Sequence, residues 1–272
     1  MPSTYPNSET LLKGKNAVIY GAGGSIGNAI AQAFAREGAK VFLTGRTLAT
    51  VEATARQITA AGGAAEAAQV DVLDEQAVQD HIRAVGAKAG RIDISFNAIG
   101  IAQLGLQGIA LTEISADSFC LPIATYTRAH FVTARAAARH MVAQQAGVIL
   151  MHTPEPARLG APLVGGMGPA WAAMEGLSRS LSAELGPLGV RAVCLRTTGM
   201  PETGTIDVVF GLHAKAHGIT REQFQSMLEG MTHRRRSTTL LELAQVAAFV
   251  ASDRAAAMTG TVVNLTGGAI VD

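Results

Sequence analysis

A glycine-rich turn near the N-terminus is the clearest candidate for ligand chemistry in this 272-residue sequence. It reads Gly21-Ala22-Gly23-Gly24-Ser25-Ile26-Gly27, follows a short apolar run and leads directly into an amphipathic segment. Glycines let the backbone approach a pyrophosphate, and the first N–H groups of the following helix can bind its negative charge. The position between a strand and a helix therefore predicts a dinucleotide site rather than an ordinary tight turn.

The elements that must position this turn follow an alternating pattern. Short β-branched runs alternate with alanine-rich stretches of helical period, which predicts βαβ units and a parallel sheet with helices on both faces. We expect an α/β fold with a Rossmann-type, doubly wound, seven-stranded parallel sheet, in a single domain over residues 1–272. The predicted strands are 16–20, 41–44, 67–70, 92–96, 148–151, 190–195 and 261–265. The predicted helices are 26–37, 48–60, 75–87, 116–145, 169–185 and 240–252. Residues 198–239 interrupt the alternation, and we interpret them as a substrate loop or lid.

The composition excludes several classes of protein. Charged residues make up 16% and hydrophobic residues 48%, which argues against a disordered chain or a coiled coil. The net charge of +1 provides no field that would attract nucleic acid or an anionic membrane. The N-terminal 15 residues lack the apolar core of a signal peptide. Two cysteines, Cys120 and Cys194, predict a reduced, cytoplasmic setting, and we predict no metal site.

Motifs along the whole chain resemble those of the short-chain dehydrogenases/reductases. Gly21 and Gly27 match two glycines of that family's turn, while Tyr20 and Ser25 replace its threonine and its middle glycine. Further matching segments lie at 97–100, 175–186, 189–191, 259–260 and 267–268. The resemblance implies a Rossmann-type fold, a nicotinamide dinucleotide and additional cofactor contacts. These contacts are Asp71, Val72, Asn97, Ala98, Gly100 and Thr203.

The end of the second predicted strand indicates which dinucleotide is preferred. NAD-preferring relatives have an acidic side chain at the position of Gly45, where it binds the ribose hydroxyls of adenosine. Gly45 cannot make that contact, whereas Arg46 offers a fork of donors suited to a 2′-phosphate. The alternative is a solvated arginine at the start of a helix. We therefore expect NADP(H) in preference to NAD(H).

The catalytic pair that the resemblance implies is absent from its expected positions. In the family, a tyrosine exchanges a proton with the substrate oxygen, and a lysine four residues later binds the nicotinamide ribose and lowers the pKa of the tyrosine. Counting back from Glu175 places Met167 at the tyrosine position and Trp171 at the lysine position. A thioether carries no proton, and an indole N–H is too weak an acid to replace the phenol. The ordinary machinery for ketone reduction is therefore missing.

Three other side chains are candidates for the missing proton donor. The family's serine position holds Thr153, its asparagine position holds Tyr126, and His152 precedes Thr153. Tyr126 is an acid of the right type if it faces the nicotinamide, and His152 titrates near neutrality. The alternative for both is packing inside the protein. In a divergent branch, the enoyl-carrier reductases, the tyrosine lies seven residues before the lysine, but that position holds Val164.

Three functions stay open at this point. The first is an NADP(H)-dependent oxidoreductase with a non-standard site that reduces an activated C=C bond or an unusual carbonyl. The second is a catalytically inactive dinucleotide-binding sensor or partner subunit, and the third is a non-redox lyase or isomerase. The retained cofactor features favour the first.

Two patterns concern the partners of the protein. Apolar residues in the 198–239 segment predict a small apolar substrate: Met200, Val208, Val209, Phe210, Leu212 and Met227. The resemblance implies a homo-oligomer, a tetramer or dimer, built on the two long helices. One alanine-rich face at helical spacing would suit close approach of two subunits. It consists of Ala134, Ala137, Ala138 and Met141.

Overall fold

The computed structural model describes residues 10–271, which contain seven strands in one parallel sheet. In chain order the strands are β1 (Asn16–Tyr20), β2 (Lys40–Gly45), β3 (Ala64–Gln69), β4 (Ile94–Asn97), β5 (Gly147–Pro154), β6 (Val190–Thr197) and β7 (Val262–Leu265). They lie side by side in the order β3-β2-β1-β4-β5-β6-β7, so the direction of winding reverses between β1 and β4. The predicted Rossmann-type α/β fold is confirmed.

Helices cover both faces of this sheet. In chain order they are α1 (Ser25–Arg36), α2 (Leu48–Ala60), α3 (Glu75–Ala89), α4 (Ala116–Gln144), α5 (Met167–Leu185), α6 (Gly204–His217), α7 (Arg221–Gly230) and α8 (Leu240–Ala251). Residues of α1, α2 and α8 form the core on one face, and residues of α3, α4 and α5 form the core on the other. Within residues 10–271, no helix has the length and apolar character needed to cross a membrane. The prediction that no signal peptide is present concerns residues 1–15, and residues 1–9 of that segment lie outside the described residues.

Both faces of the central strands are buried, which explains their nearly continuous apolar sequences. In β1, Val18 and Ile19 have no exposed surface and belong to the two different apolar layers. Successive residues of a strand point to opposite faces of the sheet. The same alternation separates the side chains of His152 and Thr153 near the end of β5.

Most helices begin with a side chain that satisfies a free N–H group of the first turn. Asp74 accepts a hydrogen bond from a backbone N–H of α3, and Ser115 does the same for α4. Thr220 and Thr239 begin α7 and α8 with complete capping boxes. At α1 the residue in this place is Gly24, and no side chain of the described residues caps the helix.

Several elements differ from the predicted bounds, and two of these differences affect the site. The strand predicted at 148–151 continues to Pro154, because its last residues pair with Leu195 to Thr197 of β6. Residues 198–239 are not one long loop, because α6 and α7 occupy most of the segment. These two helices pack against each other around Phe210, Ala214 and Phe224. Their boundaries carry sequence signals: Gly218 ends α6 at a φ of +67°, and a capping box begins α7.

The alanine-rich face of α4 lies against the sheet. Ala134, Ala137, Ala138 and Met141 are all buried within the single chain, in the same apolar layer as residues of β1 and β5. The prediction that this face contacts a second subunit is therefore wrong: its helical spacing serves the core of the subunit itself. The large apolar side chains that α4 exposes are Leu121 and Phe131.

Candidate active site

The glycine-rich turn lies at the carboxyl end of β1, where it contacts the loop that follows β4. Gly21 has a φ of +72°, and a Cβ atom there would lie 2.7 Å from the carbonyl oxygen of Ala98. A Cβ atom at Gly27 would overlap the carbonyl oxygen of Gly21. Both positions therefore exclude a side chain. The turn lies where the strand order reverses, which is where dinucleotides bind in folds of this type.

The start of α1 is open to an anionic ligand. Gly23, Gly24 and Ser25 are exposed, and Ile26 is half-buried. Because no side chain of the described residues caps α1, its first N–H groups are available to donate hydrogen bonds to a negatively charged partner. The exposed glycines allow that partner to approach the backbone closely. This end of the site fits a pyrophosphate.

The adenosine end of the predicted site lies beyond β2 and β3. Arg46 is exposed directly after β2, and its backbone carbonyl accepts a hydrogen bond of 2.9 Å from Gln69 Nε2. Asp71 is exposed after β3, and its Oδ1 accepts a hydrogen bond of 3.0 Å from the Leu73 N–H. Val72 is buried. These positions are at the carboxyl ends of adjacent strands, as the resemblance implies.

Asn97 fixes the loop that follows β4. It is buried, its Oδ1 accepts from the Ile99 N–H at 3.0 Å, and its Nδ2 donates to Thr133 Oγ1 on α4 at 3.0 Å. These bonds hold Ala98 against Gly21 and leave Gly100 exposed, with open space at its Cβ position. Asn97 thus shapes the floor of the site through backbone positions.

The predicted catalytic corner is an apolar cluster. Tyr126, Met167 and Trp171 belong to it together, with Met167 only 1% exposed and Tyr126 only 6% exposed. The other members are Ile99, Ile101, Ile123, Val164, Ala170 and Met174. The sequence register therefore brings together three of the positions that it singled out. At this place the structure has packed apolar side chains, two of them methionines, and not a hydrated proton relay.

Tyr126 is a weak acid in this cluster. Burial raises its pKa to about 12, although a hydrogen bond with the backbone of Ile101 acts in the opposite direction. Its ring stacks against His130, with 6.3 Å between the ring centroids. Burial and the nearby His152 lower the pKa of His130 to about 3, so this imidazole is neutral at pH 7. Proton release from Tyr126 near neutral pH is therefore unfavourable.

Thr153 forms a buried polar network. Its Oγ1 donates to Glu175 Oε1 at 2.9 Å and lies 3.4 Å from Cys194 Sγ. Glu175 also accepts two bonds from the Arg196 guanidinium, at 2.9 Å and 2.6 Å. Thr153 has no exposed surface. For Thr153 to contact a substrate oxygen, its bond to Glu175 would have to break.

His152 and Thr203 are both occupied by local hydrogen bonds. His152 Nε2 lies 2.8 Å from Thr197 Oγ1 on β6, and burial lowers the pKa of His152 to about 4. Thr203 Oγ1 accepts from the Ile206 N–H at 3.2 Å and donates to the Met200 carbonyl at 3.0 Å, so it caps α6. Neither side chain carries a charge at pH 7.

A buried chain of amides joins the loop after β4 to α6. Gln103 Nε2 donates to the Ile101 carbonyl at 2.7 Å, and Gln107 Nε2 donates to Gln103 Oε1 at 2.6 Å. Gln107 Oε1 is 3.1 Å from His213 Nε2 on α6. Sequence reasoning missed this chain, because two glutamines in an irregular segment carry no periodic signal.

The comparisons with known proteins agree with this geometry. A family model described as enoyl-(acyl carrier protein) reductase matches residues 21–269. An uncharacterized oxidoreductase, YxbG of Bacillus subtilis, is 30% identical over 94% of this chain and 91% of its own length. The chain belongs to the short-chain dehydrogenase/reductase family. It is an oxidoreductase of that family, and the oxidoreductase UcpA of Escherichia coli is a further relative, 30% identical over 94% of this chain and 95% of its own length.

Solved structures share the fold of this short-chain dehydrogenase/reductase. Sorbitol-6-phosphate 2-dehydrogenase SrlD from Erwinia amylovora superposes with a TM-score of 0.88 at 24% identity, over 94% of this chain and all (100%) of its own. An NAD⁺-bound xylitol dehydrogenase gives a TM-score of 0.88 at 25% identity, over 94% of this chain and 99% of its own.

A nicotinamide dinucleotide, which members of this family bind, fits one end of the site better than the other. At the phosphate end, Gly21 and Gly27 leave a cradle that a Cβ atom would fill, beside the uncapped start of α1. At the other end, the lysine position holds Trp171, which has no ammonium group to bind a ribose. The turn, α1 and the loop after β4 are therefore the parts of the chain that could hold such a dinucleotide.

Proposed function

We propose that this protein binds NADP(H) and reduces a small apolar substrate without the tyrosine–lysine pair of its family. One observation carries the proposal: an intact dinucleotide cradle at Gly21–Gly27 lies beside a catalytic corner filled by Met167 and Trp171. When bound, the dinucleotide would supply a hydride to the substrate or accept one from it. The backbone of the turn and of α1 would hold its phosphates, and the packed corner would exclude water.

The missing phenol limits the type of substrate. Reduction of a simple ketone places negative charge on oxygen, which needs a proton from a positioned acid in the same step. An activated C=C bond delocalises that charge, and the proton can then go to carbon from water or from another acid. We therefore propose that the protein reduces an activated C=C bond or an unusual carbonyl, as the apolar walls of the corner favour.

Two residues support the preference for NADP(H). Arg46 is exposed at the end of β2, where its guanidinium can pair with a 2′-phosphate. Gly45 provides no carboxylate for the ribose hydroxyls, and a Cβ atom there would approach Val51 to 2.9 Å. An acidic replacement at Gly45 would therefore require the side chain of Val51 to shift.

Fluorescence of Trp171, the single tryptophan, reports binding of each cofactor directly. A charge-assisted pair contributes about 1.5–3 kcal/mol, so NADPH should bind roughly 10- to 100-fold more tightly than NADH. Arg46→Ala should abolish most of this preference. Arg56→Ala is the matched control, because Arg56 is another exposed arginine that pairs only loosely with Glu52 at 3.8 Å on α2.

Equal affinity for the two cofactors, or an unchanged preference in Arg46→Ala, would contradict the cofactor assignment. Turnover is measured by NADPH consumption with simple ketones, enones and enoyl thioesters. Consumption with enones or thioesters supports the proposal. Tight binding without any consumption would favour a dinucleotide sensor, and substrate conversion without consumption would favour a lyase or isomerase.

A further inference from the structure

Glu155 occupies the carboxyl end of the sheet without a role in the site described so far. It directly follows β5 and begins a short 3₁₀ turn, Glu155–Ala157. The backbone of Gly199, two residues after β6, hydrogen-bonds its carboxylate. The carboxylate therefore lies between the ends of β5 and β6. In parallel sheets of this type, ligands bind outside these strand ends.

One oxygen of this carboxylate has no partner. The backbone N–H groups of Glu155 and Gly199 are the hydrogen-bond partners of the group, whereas Oε2 is buried without any partner among the described residues. A buried polar atom without a hydrogen bond costs about 1–3 kcal/mol, so this one requires an explanation. A bound molecule that accepts a proton from Oε2 would remove this cost.

The sequence also fixes the position of this side chain. Pro154 precedes Glu155 and Pro156 follows it, and each proline ring restricts the backbone around the glutamate. Pro154 in turn pairs with Thr197 in the sheet. The carboxyl group is therefore attached to a stiff backbone at a strand end, as a residue that positions a proton must be.

Burial is the largest influence on the pKa of Glu155. It raises the pKa to about 7, against the opposing effect of the two backbone N–H groups. The titratable groups on the elements around it are His152 on β5, Arg158 on the same turn, and Arg196 on β6. His152 is neutral at pH 7, Arg158 is exposed, and Arg196 is engaged by Glu175.

We propose that Glu155 is the catalytic acid–base of this protein and supplies the proton for the activated C=C bond of the proposed substrate. The inference rests on the proposed oxidoreductase function. When bound, NADPH would supply the hydride for the new C–H bond of the substrate and would leave as NADP⁺. The displaced π electron pair would take the proton of Glu155 Oε2, and the Glu155 carboxylate would regain a proton from water.

A group that exchanges protons near neutral pH serves equally as acid and as base. Tyr126, whose pKa burial raises to about 12, does not meet this condition. The carboxyl groups of Glu155 and Glu175 differ in their surroundings. Glu155 Oε2 has no hydrogen-bond partner among the described residues, whereas the carboxylate of Glu175 bonds to Thr153 and Arg196.

The protonation state is tested without any substrate. Infrared spectra of the wild type should show one protonated carboxyl that ionises within about one unit of pH 7, well above an ordinary glutamate. Glu155→Gln should lose this band, and Glu202→Gln, an exposed glutamate after β6, should keep it. Absence of the band in the wild type, or its persistence in Glu155→Gln, overturns the inference.

Kinetics separate this inference from the proposed function. Glu155→Gln should lower the rate of reduction by roughly 10²–10⁴-fold. Its affinity for the cofactor, measured by the fluorescence of Trp171, and its melting temperature should be unchanged. Glu155→Asp, which keeps an acid on a shorter side chain, should recover part of the loss and shift the pH profile. Tyr126→Phe should retain the wild-type rate.

Full activity in Glu155→Gln overturns the role of Glu155 and leaves the oxidoreductase standing. A large loss in Tyr126→Phe instead assigns the proton to Tyr126. A wild type that binds NADPH but reduces none of the tested compounds overturns both proposals.

Discussion

The buried ion pair between α5 and β6 should contribute a large share of the stability of the fold. Glu175 and Arg196 are 4% and 5% exposed, and two hydrogen bonds of 2.9 Å and 2.6 Å join them. Glu175→Ala would leave the guanidinium of Arg196 buried without this carboxylate. It would also remove the acceptor of Thr153.

The expected loss follows from these contacts. Removal of one partner of a buried ion pair costs about 3–5 kcal/mol. A domain is typically stable by about 5–15 kcal/mol, so the variant would lose about a fifth or more of the total. At roughly 2–4 °C per kcal/mol for a chain of this size, a loss of about 4 kcal/mol lowers the melting temperature by about 8–16 °C.

Guanidinium and thermal unfolding, followed by circular dichroism, measure this loss. Glu52→Ala is the control: it removes an exposed carboxylate that lies 3.8 Å from Arg56, and should cost less than about 0.5 kcal/mol. The double variant Glu175→Leu with Arg196→Met should recover most of the stability, since apolar packing replaces the pair. A loss below about 1 kcal/mol in Glu175→Ala would refute the reasoning.

Two further predictions concern the catalytic corner and the assembly. The wild type should reduce simple ketones roughly 10²–10⁴-fold more slowly than an enzyme with a positioned acid does. Met167→Tyr combined with Trp171→Lys should introduce ketone reductase activity, whereas neither single change should. A wild type that reduces ketones at ordinary enzymatic rates would contradict this prediction. Light scattering should give the mass of a dimer or tetramer of the 28.1 kDa chain. Phe131 is exposed on α4, and Phe131→Asp should dissociate the oligomer. A wild-type mass of one chain would disprove the prediction.

The geometry of the glycine-rich turn was predictable because it depends on backbone conformation. Only glycine fits at Gly21 and Gly27, so the requirement is visible in the residue types themselves. The placement of Met167 and Trp171 on one helix was also predictable by counting back from Glu175, while their correspondence to the catalytic pair stays a prediction. The structure confirms that these positions meet Tyr126 in one cluster.

The remaining features depend on contacts that sequence patterns do not encode. Glu175 and Arg196 lie 21 residues apart, and their pairing requires α5 to pack across β6. The acidity of Glu155 comes from burial, which no local motif signals. The alanine stripe that includes Ala137 was assigned to the wrong surface, because a helical period shows that one face is buried but not what covers it.

The amide chain between the loop after β4 and α6 has a fixed polarity. The Ile101 carbonyl can only accept, so Gln103 must turn its NH₂ toward it and its oxygen toward Gln107. Gln107 must then offer its own oxygen to His213, and Nε2 of that histidine must carry the proton. A backbone carbonyl three links away therefore selects the tautomer of His213. Reversal of either amide would place two donors or two acceptors opposite each other. Of these hydrogen bonds, only the one between Gln107 and His213 joins this part of the loop to α6, so movement of α6 away from the loop must break that bond.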